Sequence, residues 1–213
     1  MALDVEMLTV GAVAENCFLL RKQGSDRVLV VDPGEEAERI LAAAGELGEV
    51  EAILITHCHF DHIGAVAPVA AATGAPVYCP VIEVPLLADI MAFVPWPGFG
   101  PYESYEADET VAGGETLELA GLELDVVFTP GHSPGHVTYS VRGEDAIFSG
   151  DVLFQGSVGR VDLPGGDWPT LADSIARLLD SHSDETVVHP GHMGLTTLGA
   201  ERATNPFLQA TTR

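Results

Sequence analysis

Basic side chains are scarce. Nine Lys and Arg stand against 32 Asp and Glu, for a formal charge of −23. Nucleic acid and anionic membrane both require a basic footprint on the protein, so neither is expected as a partner. A small anionic substrate is not excluded, because a bound metal reverses the field locally. Cysteine is sparse as well. Cys17, Cys58 and Cys79 form no CxxC pair and no disulfide framework of the kind that staples small secreted domains. No apolar run approaches the ~18–20 residues that a membrane span needs. The opening MALDVEMLTV has neither a basic n-region nor a long apolar core, so it reads as a strand and not as a signal peptide. A soluble chain in the reducing cytoplasm is the expectation.

What is present is ordinary for a globular protein. The chain has 213 residues, 46% of them hydrophobic, enough for one sizeable core, and residues 1–213 are expected to form a single domain. LDVEMLTV, ENCFLLRK and DRVLVVDPG read as strands, with KQGSD suited to a hairpin. Residues 35–48 carry apolar positions at helical spacing, opened by acidic residues and closed by Gly48 as an αL cap. EAILI is the next strand, and HIGAVAPVAAATG a helix that Pro68 should bend or interrupt. APVYCP reads as a short strand, and VIEVPLLADIMAF contains a helical piece. From Val111 strands resume in ETLEL, LELDVVFTPG, HVTYSVRG and DAIFSGD. DWPTLADSIARLLDS is a helix capped by Asp167, with Leu171, Ile175, Leu178 and Leu179 on one face. ETVVHPGH is a last strand and loop. The order suits an α/β architecture of two sheets covered outside by helices, each half supplying strand ends to one shared edge.

One stretch does not fit a packing role. The apolar EAILI runs straight into THCHFDH, where His57, His59 and His62 crowd around Asp61. Clustered imidazoles repel when protonated, and buried ones must each find a partner. A metal cation removes both difficulties, since neutral imidazole and carboxylate are its natural ligands. The same residue types recur where other apolar strands give way to loops: His132 after LDVVFTPG, Asp151 after DAIFSG and His192 after TVVHPG. Gly131, Gly150 and Gly191 flank them and would let the backbone turn tightly near a crowded centre. Seven such groups are too many for one tetrahedral ion and about right for two sharing a carboxylate. Two cations ~3.5–4 Å apart would share a water whose pKa falls towards 7, which is a hydrolytic centre.

His57, His59, Asp61 and His62 together resemble the HxHxDH signature of the metallo-β-lactamase superfamily. TPGHSPGH, SGDVLF and PGHMG are similar to its later ligand motifs, in the same order. The resemblance covers nearly the whole chain. It implies a four-layered αβ/βα metallo-β-lactamase sandwich, two mixed sheets flanked by helices, with the site at one edge. It further implies that His57, His59 and His132 hold a first divalent ion, that Asp61, His62 and His192 hold a second, and that Asp151 bridges them. Zinc is the expected metal, with iron and manganese also compatible. Asp32, in VVDPG, matches a recurrent acidic position behind the ligands and would orient an imidazole. Cys58, between two ligands, should point away from them as packing. His136 would support a ligand or serve packing, His189 would be structural, His182 solvated at a helix end, and Tyr139 part of the core.

GDVLFQGSVGRVDLPGGD resembles the single-domain glyoxalase II-like (hydroxyacylglutathione hydrolase-like) branch, where this segment meets the thiol carrier of a thioester. Arg160 is the matching basic position and would bind substrate. The implied activity is thioester hydrolysis to an acid and a free thiol, with Asp61 and Asp151 catalytic. Only 21 residues follow His192, with Arg202 and Arg213 their basic members. Two-domain relatives carry a helical C-terminal domain with basic residues for the glutathione moiety, so the expectation here is a different carrier thiol or a weak affinity for glutathione. The persulfide dioxygenases are the alternative: the same fold with one iron on His57, His132 and Asp151, open positions remaining. A lactonase or β-lactamase, and a non-catalytic binding protein on this scaffold, are the further readings. Part of the aromatic, proline-broken stretch with Phe93, Trp96, Phe99, Tyr102 and Tyr105 is expected to border the substrate cleft and to set acyl preference. The substrate is expected to be a small-molecule thioester, and the oligomeric state is not encoded in any motif.

Overall fold

The computed structural model describes residues 2–209; Arg213 lies outside them. Along the chain run β1 (Leu3–Val10), β2 (Glu15–Lys22), β3 (Arg27–Val31), α1 (Ala37–Leu47), β4 (Glu49–Leu54), α2 (Phe60–Ile63), α3 (Val66–Thr73), β5 (Val77–Pro80), α4 (Val84–Ala88), α5 (Ile90–Phe93) and β6 (Glu109–Val111). The second half holds β7 (Thr116–Leu119), β8 (Leu122–Phe128), β9 (Val137–Val141), β10 (Ala146–Gly150), β11 (Leu153–Phe154), β12 (Ser157–Val158), α6 (Trp168–Ser181), β13 (Val187–Pro190), β14 (Thr196–Thr197), α7 (Leu198–Thr204) and α8 (Pro206–Gln209).

The strands form two six-stranded sheets, β1-β2-β3-β4-β5-β6 and β14-β13-β10-β9-β8-β7. Both are mixed. β1, β2 and β3 are antiparallel neighbours while β3 to β6 run parallel, and β10 pairs parallel to β13 but antiparallel to β9. The period of two along β2 explains how a sheet is buried on both faces. Cys17 and Leu19 point to the layer under α1 and α3, where they meet Ile40, Val66 and Val69. Phe18 and Leu20 point the other way, into the layer between the sheets, against Val126, Tyr139 and Phe148. A third layer packs Leu171, Ile175 and Leu178 of α6 on Ile147 and Val188. The result is helix, sheet, sheet, helix.

α6 begins where its sequence says it should: Asp167 accepts from the Thr170 N–H at 2.9 Å, and Pro169 occupies the first turn. Several expectations need correction. Gly48 ends α1 at φ 156° and ψ −154°, not in the αL cap; its N–H still donates to the Ala44 carbonyl at 2.9 Å, and a side chain there would run into the Asp26 carbonyl. The helix after the histidine cluster breaks between Ile63 and Val66, ahead of Pro68, which sits harmlessly in the first turn of α3. His182 is not solvated; it is half-buried at the end of α6, with Nε2 2.9 Å from the Ser140 hydroxyl. From His192 to residue 209 the chain holds a short strand and two helices, fastened by the Asn205 amide donating to Ser157 O at 3.0 Å. Among the described residues no helix is long and apolar enough to cross a membrane.

Candidate metal centre

Strand ends from both sheets meet at one edge, and the seven residues picked out above are brought together there. Nε2 of His57 lies 3.2 Å from Nδ1 of His59 and 3.2 Å from Nε2 of His132, and the last two are 2.8 Å apart. Beside this trio, Asp61, His62 and His192 form a second group close enough to hold an ion. Nε2 of His192 is 3.3 Å from Asp61 Oδ2. Asp151 stands between the groups: Oδ2 is 3.4 Å from His132 Nε2 and 3.6 Å from His192 Nε2, while Oδ1 is 3.4 Å from His62 Nε2.

The outer nitrogens explain why the inner ones are free to bind. Nδ1 of His132 meets the Arg160 carbonyl at 2.7 Å, and Nδ1 of His192 meets the Ala14 carbonyl at 3.2 Å. A carbonyl only accepts, so each Nδ1 carries the proton and each Nε2 presents a lone pair to the centre. His62 Nδ1 faces the Asp32 carboxylate at 3.0 Å. The Thr56 hydroxyl donates to Asp32 at 2.6 Å and so is left to accept from His57 Nδ1 at 3.1 Å. Asp32 therefore orients one imidazole directly and a second through Thr56. It does so from a strained backbone, at φ 50°.

Charge and burial both fit a cation. His57 is pushed well below the usual range by burial and by its imidazole neighbours, and burial takes His59 down to about 4. Both are neutral at pH 7, as imidazole ligands of a metal must be. Burial would also lower His62, but Asp151 and Asp61 outweigh it and hold its pKa well up. Burial would raise Asp151, yet His62 and His192 hold it well below the ordinary carboxylate range. A buried cluster so rich in carboxylate needs positive charge, supplied by a proton on His62 or by metal displacing it. Nε2 of His62 and Oδ1 of Asp151 are buried with no hydrogen-bond partner among the described residues, as ligand atoms awaiting an ion would be.

The glycines divide. A Cβ at Gly150, where φ is 46°, would strike Thr56 and His136, and one at Gly191 would strike Asp151 and His62. These two positions admit only glycine because the centre is crowded. Gly131 instead makes room for Leu171 of α6, away from the centre.

Several supports carry no motif. Glu83 is buried at 1% exposure and ties two ligand loops together. Its carboxylate accepts from the Ser133 hydroxyl and the Gly135 N–H, both at 2.7 Å, and from the Cys58 N–H at 3.3 Å. Glu15 is equally buried, 3.7 Å from His62 Nδ1, and burial raises its pKa well above the ordinary value. His136 stacks on His57 and accepts from the Asp151 N–H at 3.1 Å, so it holds a ligand's backbone. Neither Glu83, in VIEVPLL, nor Glu15, in ENCFLL, stands out from the other acids of the sequence. Cys58 turns away, its sulfur 3.5 Å from that of Cys79. His189 stacks on Phe148, and Tyr139 is fully buried.

A cavity of about 410 Å3 opens over the centre, with His59, Asp61, His132, Asp151 and His192 at its floor. Phe93, Pro95 and Trp96 line it, as expected of their loop. Phe99 and Tyr102 do not; they pack on Phe60, with ring centroids 4.8 and 5.9 Å away. The aromatic loop thus borders the cleft only at its first part. Arg160 reaches the cavity wall over the Trp96 ring, 5.2 Å from its centroid. Its Nε and Nη2 donate to Asp162 at 2.6 and 2.7 Å.

Known proteins are similar to this chain. The chain is 40% identical to the probable metallo-hydrolase YqgX of Bacillus subtilis, covering 94% of this chain and 95% of that protein. It is 32% identical to the hydroxyacylglutathione hydrolase GloC of Haemophilus influenzae, over 98% of this chain and 99% of that one. Among solved structures, BLEG-1 B3 metallo-beta-lactamase superposes with a TM-score of 0.91 at 37% identity, covering 96% of this chain and 99% of that one. TTHA1623 in a di-iron-bound form gives 0.84 at 42% identity, covering 95% and 100%. The family model for the metallo-beta-lactamase superfamily matches residues 10–192, which take in every candidate ligand, and the chain belongs to that superfamily.

Proposed function

We propose that this protein is a binuclear metal-dependent thioester hydrolase of the glyoxalase II-like kind. One observation carries the reading: the Asp151 carboxylate stands between the two ligand groups, within 3.6 Å of nitrogens from both. His57, His59 and His132 would hold one ion, Asp61, His62 and His192 the other, and Asp151 both. Zinc is the proposed metal, and the iron in TTHA1623 keeps iron as an alternative. Two ions so held would supply Lewis acidity and a water of pKa near 7.

The residues of the chain do the rest. Thr56, Asp32 and the Arg160 and Ala14 carbonyls fix the imidazoles, so little reorganisation is needed during reaction. Asp61 is exposed enough at the cavity floor to orient the attacking water as well as to bind. A thiol leaves with a pKa of about 8.5, so no strong general acid is required. Every titratable side chain lining the cavity except Arg160 is a proposed ligand. Arg160, at the wall, is the proposed contact for the carrier side of the substrate. We place the protein in the cytoplasm, where its three free cysteines stay reduced.

Metal content and anaerobic thioester cleavage together test this reading. Two ions per chain, turnover without oxygen, and loss of turnover in Asp61→Ala are expected. The one-iron persulfide dioxygenase is the second reading, favoured by the compact set of His57, His132 and Asp151 and by the iron in TTHA1623. A single iron retained in Asp61→Ala, with oxygen uptake on a persulfide and no anaerobic cleavage, would establish it instead.

A further inference from the structure

The wall above the centre is apolar. Leu86, Phe93, Trp96, Phe154, Val158 and Leu163 all contribute to it. At about 410 Å3 the cavity lies near the small end of the range for small-molecule sites, roughly 300–1,000 Å3. Arg160 is the one Lys or Arg among the described residues that line it. Its fork is occupied by Asp162, through Nε and Nη2, and its flat face lies over Trp96. A single edge of the guanidinium is left for a ligand. Arg202 gives no help, being held by Asp184 at 3.0 Å and by the Leu179 carbonyl at 2.6 Å. Around the cavity lies a protein of charge −23, which repels anions at long range.

From this geometry we infer that the substrate is a compact thioester whose thiol carrier is neutral or singly charged and largely apolar, not a multiply charged peptide thiol such as glutathione. The inference rests on the thioester-hydrolase reading and narrows it. A carrier with two carboxylates and an ammonium would need partners for each on entering an apolar wall, and unpartnered charge is costly to desolvate. An apolar carrier is rewarded by the same wall. In the reaction, water adds its oxygen to the acyl carbon, the C–S bond breaks, and the sulfur departs with water's proton as the free thiol. The trimming of carrier recognition to one guanidinium edge leaves that chemistry untouched.

The test compares one acyl group, butanoyl, on two carriers, N-acetylcysteamine and glutathione, with the metal-loaded enzyme. The neutral thioester is expected to have at least tenfold the kcat/KM of the glutathione thioester, with no dependence on salt. Added salt should raise kcat/KM for the glutathione thioester alone, by screening repulsion. Asp162→Asn frees the guanidinium fork and should raise kcat/KM for the glutathione thioester several-fold while leaving the neutral one unchanged. Equal or better turnover of the glutathione thioester by the natural enzyme overturns the inference and leaves the hydrolase reading standing. Cleavage of neither carrier overturns both.

Discussion

Asp32 holds Thr56 by two hydrogen bonds, one from its N–H at 2.7 Å and one from its hydroxyl at 2.6 Å. That pairing makes Thr56 an acceptor for His57, and the same carboxylate meets His62. One residue therefore serves imidazoles of both ligand groups. Asp32→Ala should weaken metal binding at both positions by roughly 10–100-fold, the usual cost of losing a carboxylate behind a ligand histidine. Thr56→Val should weaken the position of His57 more than that of His62. Chelator competition, followed for each ion, distinguishes the two patterns.

Asp151 offers a sharper outcome. Its two oxygens face nitrogens on both sides. Asp151→Ala should lose both ions and all activity while keeping its far-ultraviolet circular dichroism. Elemental analysis that finds two ions in this variant would contradict the bridging assignment.

Glu83 should matter to stability before it matters to chemistry. Removing its carboxylate strands the buried N–H groups of Gly135 and Cys58 and the Ser133 hydroxyl. Each unsatisfied buried donor costs on the order of 1–3 kcal/mol, so Glu83→Ala should lose about 3 kcal/mol or more in urea unfolding. Glu83→Gln, which can still accept from Ser133 and Gly135, should lose clearly less.

His189 predicts an acid-side effect separate from the metals. Burial between aromatic rings takes its pKa down to about 4, against about 6.5 in the unfolded chain. Below pH 6.5 the unfolded chain takes up a proton that the folded one refuses, so stability falls as pH drops towards 4. Between pH 6.5 and 5 this amounts to about 1.6 kcal/mol, less than the full 1.36 kcal/mol per unit because the unfolded imidazole is already half protonated at pH 6.5. His189→Gln should lack that component. Parallel unfolding curves for the natural protein and the variant at both pH values would show the difference, and an equal loss in both would refute it.

The candidate ligand positions were legible because they break a strong pattern. Apolar strands end in His57, His132, Asp151 and His192, and polar groups at strand ends of a buried sheet invite a functional explanation. Asp32 was legible only through resemblance, since an acid after VLVV could equally begin a turn. Glu15 and Glu83 were not legible at all. In a chain with 32 acids, nothing local tells a buried carboxylate from a solvated one. The Arg160 carbonyl that orients His132 was invisible for a deeper reason, because every residue has one. Trp96 and Phe99 look alike in sequence, but the Gly- and Pro-rich backbone between them turns one to the cavity and the other to Phe60. The C-terminal helices escaped because they are short and their burial depends on the β11–β12 hairpin beneath them.

The Arg160 peptide has two faces. Its side chain borders the cavity, and its carbonyl grips His132 at 2.7 Å. Gly159 beside it has no room for a side chain against Asp151 and His132. Anyone redesigning this enzyme for a new substrate would naturally diversify residues 159–163. Variants at Gly159 would lose metal retention, because a side chain there strikes Asp151 and His132, so selection there should be run under metal limitation as well as for turnover. Phe93 and Trp96 line the cavity from a segment that supplies no candidate ligand, and that segment is the safer place to begin.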